Sequence, residues 1–269
     1  MDLAFCSFSS GSSGNCYLVK SDSTNILVDA GISGEKIVDN LRVFDMSIRK
    51  IDAVVLSHEH WDHTRSAQMV QRLAVYSNCY ATCGTLEGMG DKAERLPKDR
   101  LVKIHNKESF MIGDIEVKSF PISHDALDPV AFTLKRNDKK IAIVTDTGCI
   151  TDDIQEEIKD SDLLVIESNH EENILLYGKY PYYLKRRILS DKGHLSNEAA
   201  GNCICKFLKD SNKQKPPRIL LGHMSKENNT PKQAFLTVRN ILEEDGYYVG
   251  KDLLLDVLEK GIMTDLIFL

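Results

Sequence analysis

Short apolar runs separated by polar turns recur along the chain: Leu3–Phe8, Tyr17–Lys20, Ile26–Val28, Ala53–Leu56, Ile115–Phe120, Ile141–Val144, Leu163–Ile166 and Ile219–Leu221. Each is too short for a typical helix and is bounded by turn residues, so each reads as a strand. Helical spacing appears between them. Thr230-Pro231-Lys232-Gln233 offers an N-cap, a proline at the first helical position and a capping-box glutamine. Phe235, Val238 and Leu242 then recur on one face, and Gly246 supplies a stop. A second helix is predicted from Ser196, with Ala199, Cys203 and Phe207 as its stripe, and a third after Thr151 around Ile154 and Ile158. The stretches Leu253–Leu258 and Ile262–Leu269 fit strand or helix equally. Strands alternating with helices predict an α/β or α+β fold. With no repeat, linker or low-complexity block, residues 1–269 read as a single domain.

Composition narrows the class. With 42% hydrophobic and 28% charged residues, the 269-residue chain is neither disordered nor collagen-like and can bury a substantial core. Seven cysteines, none in a Cys-x-x-Cys pair, suggest a reducing compartment. The start is acidic where a signal peptide would be basic, and no apolar run approaches the roughly 20 residues of a membrane span. A cytoplasmic protein with no membrane partner is expected. The net charge of −6 excludes a uniformly basic surface but not a local basic strip. One such strip holds Lys179, Lys185, Arg186, Arg187 and Lys192, interleaved with Tyr180, Tyr182 and Tyr183, whose rings offer faces for base stacking. A solvated helix face accounts for a charge run equally well.

The candidate chemistry lies where an apolar run, Ala53-Val54-Val55-Leu56, leads into Ser57-His58-Glu59-His60-Trp61-Asp62-His63. In an extended loop His58 and His60 point to one side, and Asp62 and His63 turn toward an adjacent position. Imidazole with carboxylate suits zinc, manganese or iron better than calcium or magnesium. His124, Asp146 and His223 each lie just past the end of another apolar run, where sites of α/β sheets assemble.

The set His58-x-His60-x-Asp62-His63, His124, Asp146 and His223 resembles the signature of the metallo-β-lactamase superfamily. Ser10-Gly11-Ser12-Ser13-Gly14-Asn15-Cys16-Tyr17, His124-Asp125-Ala126-Leu127-Asp128-Pro129, Gly193-His194-Leu195-Ser196-Asn197 and Leu221-Gly222-His223-Met224-Ser225-Lys226-Glu227-Asn228-Asn229 further resemble its WalJ (YycJ)-like exonuclease branch. The resemblance implies an αββα four-layer sandwich and hydrolysis of DNA from 5′ ends, with duplex ends as substrate. It also implies two divalent metal ions, Zn²⁺ or Mn²⁺ with Fe a further option. His58, His60 and His124 would hold one, Asp62, His63 and His223 the other, and Asp146 both. Two such ions activate water at neutral pH and clamp a phosphate, and Asp62 would also orient the attacking hydroxide.

Glu167, at the end of the run Leu163–Ile166, is similar to the strand-end glutamate of tRNA-processing relatives, and His194 to their mobile histidine. As a pair they would form a general acid, although His194 is equally readable as a helix-entry residue beside Ser196. Substrate contacts are expected at Ser12, Ser13, Asn15, His170, Lys185, Arg186, Arg187 and Ser225. The Ser9–Asn15 loop offers backbone amides to phosphate but also reads as a polar turn. His105 lies outside every motif and is expected at the surface. Two other functions compete: hydrolysis of a small ester or thioester, and metal and DNA binding without catalysis. The Glu167–His194 pair and the tyrosine-rich strip favour the phosphodiesterase.

Overall fold

Each apolar run of the sequence becomes a strand in the computed structural model, which describes residues 3–269. The strands fall into two mixed sheets of seven with helices flanking them, so the predicted α/β class is the one found. Contacts group the chain into two units: residues up to Pro121 with Ala126–Lys139 and Lys260–Leu269, and Ile122–Asp125 with Lys140–Glu259.

In the first unit the strands are β1 (Ala4–Ser9), β2 (Cys16–Lys20), β3 (Asn25–Val28), β4 (Ala53–Val55), β5 (Asn78–Thr82) and β6 (Leu101–Ile104). β1, β2 and β3 pair antiparallel, and β3 through β6 continue in parallel. The parallel strands need crossovers, supplied by α1 (Gly34–Arg42), α2 (Trp61–Thr64), α3 (Ala67–Leu73), α4 (Cys83–Met89) and α5 (Asp91–Glu94). Ile37 and Leu41 of α1 and Val70 of α3 join Leu18, Leu27 and Val54 in one buried cluster. A second set, β7 (Ser109–Ile112), β8 (Ile115–Pro121) and β9 (Val130–Arg136), forms an antiparallel meander. β8 begins by alternating buried and exposed side chains, as one solvated face requires.

The second unit is built on the parallel strands β10 (Lys139–Val144), β11 (Leu163–Glu167), β12 (Arg218–Gly222) and β13 (Leu254–Val257). β11 is buried along its whole length, which is why it reads as an unbroken apolar run. Its helices are α6 (Asp152–Ile158), α7 (Glu172–Tyr177), α8 (Tyr182–Ile188), α9 (Asn197–Asp210) and α10 (Pro231–Glu244). Thr151, Ser196 and Thr230 cap α6, α9 and α10 as expected, each accepting a backbone N–H. The reciprocal arm of the predicted capping box is absent. Gln233 donates to Glu171 and Thr237, and the N–H of Thr230 goes to Asn229 Oδ1. The ambiguous C-terminal stretches contain two strands: β13, and β14 (Ile267–Phe268), which returns to the first unit and pairs antiparallel with β1.

Candidate metal centre

In the first unit the ends of β3 and β4 lie side by side, with Val28 in register with Val55. Their following loops therefore meet. Asp29, past β3, is 1% exposed and accepts from the N–H and Oγ of Ser57 at 2.8 and 2.9 Å. It also accepts from His63 Nδ1 at 2.7 Å. Gly31 lets the two loops close, because a Cβ there would fall 1.5 Å from the carbonyl oxygen of Asp62.

Proton bookkeeping around Asp29 fixes the tautomers. A carboxylate only accepts, so His63 carries its proton on Nδ1 and offers the Nε2 lone pair, which lies 3.0 Å from the Asn15 amide and 3.7 Å from Asp62. Ser57 gives its hydroxyl proton to Asp29, so it accepts from His58 Nδ1 at 3.0 Å. The Nε2 lone pair of His58 then faces His60 Nδ1 at 3.1 Å. Metal-binding histidines are oriented by such supports, and these direct the Nε2 lone pairs of His58 and His63 away from Asp29 and Ser57.

In the second unit parallel register does the assembling. Ile166 pairs with Val144 on one side and Leu221 on the other, and Glu167 is opposite Gly222. The strand ends thus bring Asp146, Glu167 and His223 together, and the loop before α9 adds His194. Asp146 Oδ1 is the common point: His223 Nε2 lies 3.3 Å away, and His124 Nε2 and His194 Nδ1 each 3.8 Å. His124 donates its Nδ1–H to the carbonyl of Gly193 (3.2 Å), which again places the lone pair on Nε2. Asp146 and His223, like Asp29, adopt positive φ of 60°, 52° and 60°, a conformation uncommon outside glycine that aims a polar side chain just past a strand end.

Glu167 is fully buried and serves two imidazoles with one oxygen. Oε1 accepts from His194 Nδ1 at 2.8 Å and from His223 Nδ1 at 2.7 Å, while Oε2 takes the N–H of Thr147 at 2.9 Å. Burial alone would raise its pKa. The two histidines outweigh that by charge and hydrogen bond and hold it at about 2. Burial likewise pushes His194 down, yet the charges of Glu167 and Asp146 and the Glu167 bond leave its pKa raised. Burial also depresses His124, and it lowers His170 to about 4.

The expected substrate contacts differ in kind. Ser12 and Ser13 are exposed, but Asn15 is buried, its Oδ1 accepting from Gly11 N. Ser225 is buried and accepts from Asn228. Neither ring nitrogen of His170, 1% exposed, has a hydrogen-bond partner. Lys185 does not face outward as a free cation, since its Nζ donates to the carbonyls of Leu176 and Gly178 at 2.8 and 2.7 Å. Arg187 binds Asp125, and Arg186 lies over the Tyr182 ring at 6.0 Å. His105 is exposed, as expected. Sequence reasoning missed Asp29, although it follows an apolar run as Asp146 and His223 do. It also missed the second duty of Glu167 toward His223, for which local sequence carries no signal.

The family described as "Beta-lactamase superfamily domain" matches residues 24–224. The chain is 36% identical over 254 residues to "Exodeoxyribonuclease YycJ" of Bacillus anthracis, covering 93% of each chain. It is 36% identical over 246 residues to "Exodeoxyribonuclease WalJ" of Streptococcus pneumoniae, covering 90% of this chain and 89% of the relative. Among solved structures, the metallo-β-lactamase fold protein YhfI of Bacillus subtilis superposes with a TM-score of 0.71 at 16% identity, over 98% of this chain and 99% of that one. That degree of identity speaks to fold alone.

Proposed function

The chain belongs to the β-lactamase superfamily, and from that membership we propose that it is a metal-dependent phosphodiesterase that degrades DNA from 5′ ends. The observation that carries this reading is the 36% identity to an exodeoxyribonuclease over 93% of both chains. The fold by itself carries no chemistry.

The donors fit divalent transition metals. They are imidazoles with supported ring orientations plus carboxylates, with no thiolate among them, a set suited to zinc, manganese or iron. His58, His60 and His124 would hold one ion and Asp62, His63 and His223 the second, with Asp146 serving both. When bound, two such ions acidify water and neutralise charge on the phosphodiester.

The chain's own groups supply the rest. Asp62 orients the attacking water. His194, kept protonated by Glu167, gives its proton to the leaving alkoxide as the phosphorus–oxygen bond breaks. Substrate contact is assigned to the exposed Ser12, Ser13, Arg186 and Arg187, while Asn15 and Ser225 brace their own loops by accepting from Gly11 N and Asn228 N, and Lys185 ties α8 to the end of α7. We place the protein in the cytoplasm. Among the described residues no helix is long and apolar enough to cross a membrane.

Linear duplex DNA labelled at the 5′ or the 3′ end, incubated with Zn²⁺ or Mn²⁺, tests the reading. The 5′ label should be released first, as short product. DNA left intact with either metal, while a small thioester is hydrolysed, would overturn it. Elemental analysis should find two ions per chain, and Asp146→Ala should lower occupancy at both positions; loss of one alone would contradict the bridge.

A further inference from the structure

The chain has one tryptophan, and it stands inside the run of ligand candidates, between His60 and Asp62. Its flanking residues in the run are buried or half-buried, yet Trp61 is 54% exposed. A side chain of this size contributes little to a core from such a position. Two cations attend its ring. Lys92 Nζ, from α5, lies 4.2 Å from the centroid, and the Arg65 guanidinium, at the end of α2, lies 5.8 Å away. Both cations are themselves exposed.

We infer that Trp61 is a stacking platform for the nucleobase next to the scissile phosphodiester, with Lys92 and Arg65 receiving the flanking phosphates. The inference rests on the nuclease reading above and adds to it the chemistry contacted: the π-face of a base and the charge of its backbone. A cation over an exposed ring contributes a factor of roughly two to five, whereas a base stacked on an aromatic contributes roughly tenfold. A base therefore displaces Lys92 from the indole, and the displaced ammonium gains the phosphate that accompanies the base. Because His60 and Asp62 flank Trp61 in sequence, a base on the indole keeps its own phosphates within a nucleotide of the donor loop.

Two properties of the proposed reaction follow. Every base has a π-face, so the platform tolerates any sequence, as stepwise degradation from an end requires. A base must also leave its own stack to reach the indole, which costs least in a strand that is already single. The platform thus selects an unpaired or frayed end. It also gives a chain of net charge −6 a local hold on a polyanion.

With a single tryptophan, indole emission reports on Trp61 alone. The metal-loaded protein is titrated with a cleavage-resistant phosphorothioate oligodeoxynucleotide and with a matched strand whose terminal nucleotides are abasic. The intact strand should quench the emission and bind roughly tenfold tighter than the abasic one. Trp61→Leu should erase that preference at unchanged metal content, and Trp61→Tyr should restore most of it, as read by anisotropy of a labelled strand. Equal quenching by both strands, or a Trp61→Leu variant that still prefers the intact strand, overturns the platform while end-labelled DNA is still cleaved. Absence of binding by either strand together with absence of cleavage overturns the nuclease reading and the platform with it.

Discussion

Arg187 holds Asp125 across 62 positions of sequence, Nε donating to Oδ2 at 2.5 Å, and the other oxygen of that carboxylate lies 3.3 Å from Nε2 of His124. The charge of Arg187 is thus tied to a residue next to a ligand candidate. The basic strip that looks uniform in sequence contains three different roles: Arg187 in an ion pair, Lys185 on two carbonyls, and Arg186 outward over a tyrosine.

The roles of Lys185 and Arg186 separate experimentally. Lys185→Met should cost about 1–2 kcal/mol, read as a lower urea midpoint, because it strands carbonyl oxygens that a charged donor satisfies. Its effect on the salt dependence of DNA binding should be nil. Arg186→Ala should do the reverse, keeping the midpoint and lowering the slope of log K against log salt by roughly one unit. A flattened slope in the Lys185 variant would refute this division.

Glu167 predicts a double loss. His194→Ala should slow DNA hydrolysis roughly 10²–10⁴-fold with metal content intact, and should largely spare bis-p-nitrophenyl phosphate, whose leaving group needs no proton. Glu167→Gln should show the same defect and also weaken metal binding roughly 10–100-fold, because the carboxylate orients His223 as well. The pH profile distinguishes them further. A general acid works only while protonated, so activity falls as pH rises through the raised pKa of His194. Glu167→Gln should move that alkaline limb to lower pH. Glu167, at about 2, stays anionic throughout the range.

Asp29 does not touch the Nε2 atom of either His58 or His63, yet it sets the tautomers of both. Asp29→Asn presents an amide whose nitrogen donates, opposing either Ser57 or His63. Metal affinity should drop roughly 10–100-fold, measured by competition with a chelating dye. Unchanged affinity would show that the Ser57 relay is dispensable.

His170 makes stability depend on pH in the metal-free protein. Its folded pKa is depressed from 6.5 to about 4 by burial, so the unfolded chain binds a proton that the folded chain refuses. Stability is full above the unfolded value and declines as pH falls from about 6.5 to about 4. The loss amounts to about 3 kcal/mol over that window. Urea midpoints at both ends should differ less for His170→Phe than for the wild type. Parallel curves for the two proteins would exclude His170 as the source.

What the sequence discloses follows from how local each signal is. Strands buried on both faces, such as β11, announce themselves as apolar runs. β6, β7 and β13 do not, because their burial is partial and charged or exposed residues interrupt them. The donor run His58–His63 is legible because its side chains crowd a few residues. Their supports are another matter. Ser57, Asp125 and the Gly193 carbonyl acquire their roles only when separate loops approach, and nothing local distinguishes Asp125 from any surface acid.

The pairing of β14 with β1 has a kinetic meaning. Phe268 aligns with Ala4, the N–H of Leu269 donates to Leu3 O, and Thr264 Oγ1 accepts from Ser7 N, all at the outer edge of the first sheet. A ribosome delivering about 5–20 residues per second separates the emergence of these two strands by tens of seconds. Throughout that interval Ala4–Ser9 presents an open strand edge, the kind of surface that recruits a neighbouring chain. The second unit, made later, has all its strands before this edge is closed. The first unit is begun first, and closing this edge is the step that its own order of synthesis postpones.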